Sequence, residues 1–139
     1  MAAKTKRKMP PDGLWRGTFT DGKLESEGQH LDGKKTGLWK FYFRNGRLKA
    51  TGHLENGQFT GLWKWWGENG QLRQEGKFAK GQQVGLWQRW FSNGQLWDVG
   101  DYEAGHRVGH WKTHDAEGKL VREKTYAAKS AKGAKAKGK

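Results

Sequence analysis

Cysteine is absent from this chain of 139 residues, and proline occurs only twice. A chain without cysteine has no disulfide, no thiolate nucleophile and no Cys-based zinc site. Small secreted domains usually depend on disulfides, so their absence favours a reducing compartment. No run of apolar residues approaches the roughly 20 that a membrane-spanning helix requires. We therefore expect a cytoplasmic protein without a transmembrane segment.

Acidic residues are missing from residues 1–11 and 127–139, and these two segments carry nine of the 13 net positive charges. We expect disordered basic tails at residues 1–12 and 127–139, because low-complexity sequence of this kind cannot bury a core. Three roles remain open for them: binding nucleic acid, binding acidic lipid, or keeping the protein in solution. The candidate anion-binding residues are Lys4, Lys6, Arg7, Lys8, Lys129, Lys132, Lys135, Lys137 and Lys139.

Glycine and tryptophan are abundant instead, with 22 and nine residues. Gly-Leu-Trp recurs every 24 residues, and a fixed period of this length is the signature of a repeat protein. We expect five units, at 13–36, 37–60, 61–84, 85–108 and 109–126. The structural positions of the repeat are Trp15, Trp39, Trp63, Trp87, Trp111, Gly28, Gly52, Gly76 and Gly100.

The first four units each hold two turn dipeptides, such as Asn45-Gly46 and Asn56-Gly57 in the second unit, and the fifth holds one. Asn-Gly favours a two-residue hairpin loop in which both residues adopt positive φ. The segments between the turns are rich in Trp, Phe, Tyr and Thr, as strands are. The sequence therefore predicts an all-β fold, an open single-layer antiparallel meander of about ten strands built from five hairpin repeats.

A two-residue loop in the second unit would place Trp39 opposite Gly52 and Phe43 opposite Leu48. Each indole is then expected to lie over the glycine opposite it. Residues that are directly opposite share a face of the sheet. We therefore expect Leu48 on the same face as the tryptophans and Lys49 on the other face, together with the residue types that match them in later units.

The second face is predicted to carry an apolar strip at two repeat positions. Exposed aromatic strips of this kind usually contact a partner, so we expect the chain to bind a protein. The unpaired edges of the sheet make self-association a further expectation. The predicted partner-binding residues are Tyr42, Trp66, Trp90, Leu38, Leu62 and Leu86.

No catalytic constellation stands out in the sequence. His106, His110 and His114 are spaced by four, a spacing that would align them for a metal on a helix. Here they fall in a predicted strand and turn, and we interpret them as polar residues at the end of the sheet. We therefore expect neither an enzyme nor a bound metal or cofactor.

The repeat resembles MORN repeats, in particular the bacterial variant form found in antitoxin-like proteins. In the second unit the resemblance is carried by Gly37, Trp39, Tyr42, Asn45-Gly46, Leu48, Gly52 and Gly57. It implies an open antiparallel meander used for protein association and, in some members, for contact with acidic lipids. The first and fifth units depart from the pattern, with His30 at a position that is apolar or aromatic in later units and Lys124 at a glycine position. Polar terminal units are expected of caps.

Overall fold

The computed structural model describes residues 9–128 and confirms the predicted all-β meander. Ten antiparallel strands form one open sheet, and each strand pairs with its neighbour in the sequence. The predicted tails lie almost wholly outside the described residues. The strands are β1 (Gly13–Thr18), β2 (Leu24–Leu31), β3 (Lys34–Tyr42), β4 (Leu48–Glu55), β5 (Gln58–Trp66), β6 (Leu72–Ala79), β7 (Gln82–Trp90), β8 (Leu96–Glu103), β9 (His106–His114) and β10 (Leu120–Tyr126).

The two kinds of turn differ in geometry. Between β4 and β5, Glu55 pairs with Gln58 across a two-residue loop, and both Asn56 and Gly57 have positive φ, at 57° and 82°. These values match the predicted type I′ hairpin. The equivalent turns at Asp32, Lys80 and Ala104 share this geometry.

The other set of turns contradicts the predicted two-residue loop. Gly46 has a φ of 89°, but Asn45 is not in the positive region. The amide of Gly46 donates to the carbonyl of Phe43, and the amide of Phe43 donates to the carbonyl of Arg47. This is the three-residue loop in which a type I turn precedes a left-handed glycine. The asparagine has another role here, because its Nδ2 donates 3.2 Å to the carbonyl of Glu68 in the next unit.

This longer loop introduces a bulge that changes the predicted faces. Trp39 pairs with Gly52 as expected, but the register shifts next to the loop, so that Leu48 opposes Tyr42 instead of Phe43. Lys49 is the unpaired residue of the bulge. Leu48 therefore lies on the face opposite the tryptophans, and so does its equivalent Leu96, which pairs with Trp90. The prediction for these leucines was wrong because the Asn-Gly loop contains one residue more than assumed.

A second bulge explains the Gly-Leu-Trp motif. Between β4 and β5 the register shifts after Gly52 pairs with Trp63, leaving Gly61 and Leu62 as extra residues in β5. Gly61 has a φ of 68°, which a residue with a side chain adopts only with strain. The bulge leaves the carbonyl of His53 without a strand partner, and the indole Nε1 of Trp63 donates to it at 2.9 Å.

From Trp39 onward each tryptophan ring lies over the glycine of the preceding unit, whereas Trp15 in the first unit lies against Gly17 of its own strand. A Cβ built on Gly52 would overlap the ring of Trp63, and one on Gly28 would overlap Trp39. The prediction that Trp39 covers Gly52 was therefore wrong: the two residues are paired, but the ring of Trp39 covers Gly28 of the preceding unit. Each ring from Trp39 onward thus joins its own unit to the unit before it. At the far end of the described sheet Lys124 occupies the equivalent glycine position and pairs with Trp111.

The core is a single layer of rings on one side of the sheet. We call this side, which carries Trp15, Trp39, Trp63, Trp87 and Trp111, the tryptophan face. Trp39 and Trp63 are 0% and 1% exposed, so the middle of the column is sealed without a second sheet. Phe59 stacks on Trp63 with ring centres 4.2 Å apart. Stacked and edge-on pairs of this kind add to the stabilisation from buried area.

Candidate functional site: the leucine face

The opposite side of the sheet, which we call the leucine face, carries large side chains that no other part of the described chain covers. Leu14, Leu38, Leu62 and Leu86 repeat along it and are 67%, 47%, 44% and 55% exposed. Each stands one residue before a tryptophan of the other face, and alternation along the strand turns the two to opposite sides. A row of four exposed leucines is an unusual feature of a soluble surface.

The aromatic strip predicted from the sequence also lies on the leucine face. Tyr42, Trp66 and Trp90 each follow a residue that points into the tryptophan face, and each is half-buried. The hydroxyl of Tyr42 donates 2.8 Å to a carboxylate oxygen of Glu27. Burial and this hydrogen bond raise the pKa of Tyr42, so the hydroxyl remains protonated. The ring of Tyr42 is thus held in place, and all three rings lie at the ends of their strands, β3, β5 and β7.

Charged residues run between the leucines and the aromatic rings. Lys40 pairs with Glu27 on one side and with Thr51 on the other, and Thr51 pairs in turn with Lys64. Glu27 also accepts an ion pair from Arg16 at 3.3 Å, although the arginine is largely exposed. Lys40 and Lys64 therefore flank Thr51 with no carboxylate between them. On its other side Lys64 pairs with Glu75, so each of the two lysines has a glutamate as its neighbour on the adjacent strand. The middle of the leucine face is therefore apolar along one row and carries charges of both signs along the next.

The histidines that could have suggested a metal are separated by the fold. All three lie on β9, with His106 as its first residue and not in the turn as expected, and residues four apart on a strand are about 13 Å apart. His110 contacts Thr125 and Glu123, each at 3.2 Å. Within residues 9–128 no three His, Cys, Asp or Glu side chains are close enough together to hold an ion. No helix in that same range is long and apolar enough to cross a membrane.

One cluster on the tryptophan face was not singled out by the sequence analysis. The carboxylate of Asp98, which is 2% exposed, accepts two hydrogen bonds from Arg89, at 3.0 and 2.6 Å. Arg107 lies 3.6 Å from the same carboxylate. Arg89 stands where Phe41 stands two units earlier, and Asp98 stands where Ala50 does. Charged residues thus replace aromatic and apolar ones at core positions. Aligning the units position by position could have revealed this cluster from the sequence.

The repeat identifies the family. Segments 35–56, 59–80, 83–104 and 107–128 each match the MORN repeat variant, and together they make up more than half of the chain. The chain belongs to the MORN repeat variant family. This family is a repeat scaffold, and MORN repeats commonly take part in contacts with proteins or membranes. No curated protein matches the sequence significantly. The hairpin β1–β2 lies outside the matched segments but continues the same sheet.

Proposed function

We propose that this protein is a non-enzymatic scaffold that binds a protein partner on its leucine face. The supporting observation is the row of exposed leucines beside three half-buried aromatic rings. Successive leucines are separated by two strands, which is about 9.6 Å at the usual strand spacing. Residues seven apart on a helix are about 10.5 Å apart. The leucine row therefore fits the apolar stripe of an amphipathic helix that lies across the strands.

The charges on this face define the partner further. Lys40 and Lys64 repeat with the same period as the leucines and lie two residues along the strand from Leu38 and Leu62. A helix seated on the leucines would place its flanking residues over these two lysines. Glu27 and Glu75 pair with these lysines on the same face, so charged residues of both signs beside the apolar stripe would complement it. The proposed partner is thus an amphipathic helix with apolar residues seven apart and charged residues of both signs beside them.

The test compares a triple variant with a double control variant, and both replace exposed apolar side chains by serine. Leu38, Leu62 and Leu86 are each changed to Ser in the first variant, and Leu31 and Val121 in the control, which are 55% and 57% exposed. Because hot-spot side chains each contribute about 2 kcal/mol or more, we expect at least a hundredfold weaker binding in the first variant. The measurement is calorimetric titration with the co-purified partner. Leu31 alternates with the buried His30 and so lies on the leucine face, but at the end of β2 and outside the leucine row. Equal affinity for both variants would therefore rule out the leucine row as the binding site.

The partner could be a toxin, since the repeat resembles that of antitoxin-like proteins. Co-expression with the product of the neighbouring gene tests this directly. Growth that is inhibited by the neighbouring product alone and restored by this chain supports the antitoxin role. Growth that is unaffected by the neighbouring product would rule out the antitoxin role. Binding on the leucine face would still be tested by the leucine variants.

A second candidate function rests on the charge of the chain ends, which lie mostly outside the described residues. Nine lysines and arginines with no acidic neighbour attract phosphates through counterion release. We expect binding of single-stranded nucleic acid or of vesicles containing anionic lipid to weaken steeply with salt. The binding should disappear when residues 1–11 and 127–139 are removed. Affinity retained by the shortened chain would assign binding to the sheet instead.

A further inference from the structure

Asp98, Arg89 and Arg107 line a recess on the tryptophan face of about 160 Å³. Gln74, Gln83 and Tyr102 complete its polar wall, and the rings of Trp87 and Trp111 form its apolar wall. At about 30 Å³ for each water molecule, the recess has room for several waters and hence for a small polar group. It stands where Phe41, Ala50 and Phe59 fill the same positions two units earlier.

The two guanidinium groups are held rigidly by the aromatic rings. The guanidinium carbon of Arg89 lies 3.8 Å from the ring centre of Trp97, and that of Arg107 lies 4.1 Å from the ring centre of Trp111. In this way Arg107 replaces Phe59, whose ring stacks on Trp63 at 4.2 Å. A stacked guanidinium has its plane fixed and its N–H groups directed outward from its edge. The recess thus presents donors in fixed positions.

The charges in the recess do not balance. Two guanidinium groups face one carboxylate, and Arg89 already takes both oxygens of Asp98. Arg107 is farther from that carboxylate, at 3.6 Å, and its side chain is about one-third exposed. Burial opposes the charge of Arg107, but the nearby hydroxyls of Tyr102 and Tyr126 and the charge of Asp98 outweigh it and raise its pKa. One positive charge therefore remains uncompensated among the groups that line the recess.

We infer that this recess binds a single carboxylate group, with Arg107 as its principal partner. One excess positive charge matches a carboxylate better than a doubly charged phosphate, because Asp98 would repel the second charge. The planar fork of an arginine also fits a carboxylate edge to edge. The carboxylate can belong to a small organic acid or to an acidic side chain of a bound protein, and the two sources share this chemistry. The inference is independent of the proposed partner on the leucine face.

The experiment follows the indole N–H signals of Trp87 and Trp111 by NMR in the full-length protein. Sodium acetate is titrated against sodium chloride at equal ionic strength, and a blocked peptide with one glutamate is titrated separately. Both indoles should shift with acetate and not with chloride. A peptide that binds tenfold more tightly than acetate assigns the site to a protein side chain, and equal affinity assigns it to a small acid. Indole signals that acetate and the peptide leave unmoved would overturn the inference.

Three variants make the result specific. Arg107→Gln should weaken acetate binding by about tenfold or more, since a hydrogen bond to a charged group is lost. The fold accommodates glutamine there, because Gln83 occupies the same position one unit earlier. Arg16→Gln, an equal change of charge on the leucine face, should leave binding unchanged.

Asp98→Asn should strengthen binding, because it removes the competing carboxylate, and a damaged fold could not produce that gain. An affinity that is the same in the Arg107→Gln and Arg16→Gln proteins, or weakened by Asp98→Asn, would contradict the assignment.

Discussion

The tryptophan face is filled differently in its two halves, although both are built on the same backbone. Around β3 to β6 the space beside the tryptophans is occupied by Phe41, Phe59, Trp65 and Phe78. Around β7 to β9 the equivalent places hold Arg89, Arg107 and the buried carboxylate of Asp98. The strand pairs have the same registers and bulges in both halves. The tryptophan–glycine contact is present in both halves and goes with the same backbone, whereas the residues beside it differ in chemistry.

The largest expected effect comes from removing a tryptophan in the aromatic half. Trp63→Ala should lower the free energy of unfolding by about 3–5 kcal/mol, since the ring is fully buried among other rings. Trp111→Ala should cost less, because its neighbours Arg107 and Tyr102 can be hydrated once the ring is gone. Urea unfolding of both variants measures the difference. Equal losses would mean that the two halves are energetically alike.

A smaller effect is expected from adding a methyl group beneath a ring. Gly52→Ala would place a Cβ inside the ring of Trp63 and should destabilise the protein by about 1–3 kcal/mol. Gly67→Ala is the matched control, because its Cβ would have only ordinary contacts, the nearest atoms being 3.4 Å away. Its effect should stay within about 0.5 kcal/mol. If Gly67→Ala costs as much as Gly52→Ala, the ring contact is not what the glycine serves.

Converting the charged half into the aromatic one tests the comparison directly. The double change Arg89→Phe with Asp98→Ala reproduces the pair Phe41 and Ala50. Replacing a buried ion pair by apolar residues of similar volume is neutral or stabilising by up to about 4 kcal/mol, and we expect the lower end, near 1 kcal/mol, because Arg89 is one-third exposed. Thermal unfolding checks this. A marked destabilisation would show that the ion pair supports the fold.

The smallest effect concerns pH and the first unit. His30 is 7% exposed between Trp15 and Trp39, and its Nδ1 has no hydrogen-bond partner. Burial and then the charge of Lys35 lower its pKa from the ordinary value of 6.5. Its contribution to stability is therefore complete above pH 6.5 and is lost as the pH falls below that value.

His30→Leu places in the first unit the residue that Leu54 provides in the second. The variant should remove the pH dependence that arises from His30. Unfolding midpoints measured between pH 5 and 8 compare the variant with the parent protein. A midpoint that falls in parallel for both proteins would assign the pH dependence to other groups.

The sequence alone was sufficient for the sheet, because its period and turn dipeptides are repeated in every unit. It was insufficient for the direction of the tryptophan rings, since Trp63 pairs with both Gly52 and Gly76, and pairing does not say which one the ring covers. The bulge at Lys49 was missed because Asn-Gly serves two loop lengths, and only the hydrogen bonds distinguish them. Asp98 and its two arginines lie on three different strands, so no local sequence motif predicts that they are in contact.

Lys124 has a consequence for growth at the end of the sheet. Within the sheet, each glycine at the equivalent position is covered by the tryptophan of the following strand. At the edge of β10 no strand follows among the described residues, so Trp15 of a second molecule would have to supply the ring. Lys124 has a side chain at the position where the other units leave a bare glycine for the ring, and its Nζ lies 4.9 Å from the ring centre of Tyr126. We therefore expect that the self-association predicted from the open edges, if it occurs, does not repeat this internal contact head to tail. The contact that couples one unit to the next within the molecule lacks its glycine at this edge, so we expect the repeat to end there and not to continue from one molecule to another.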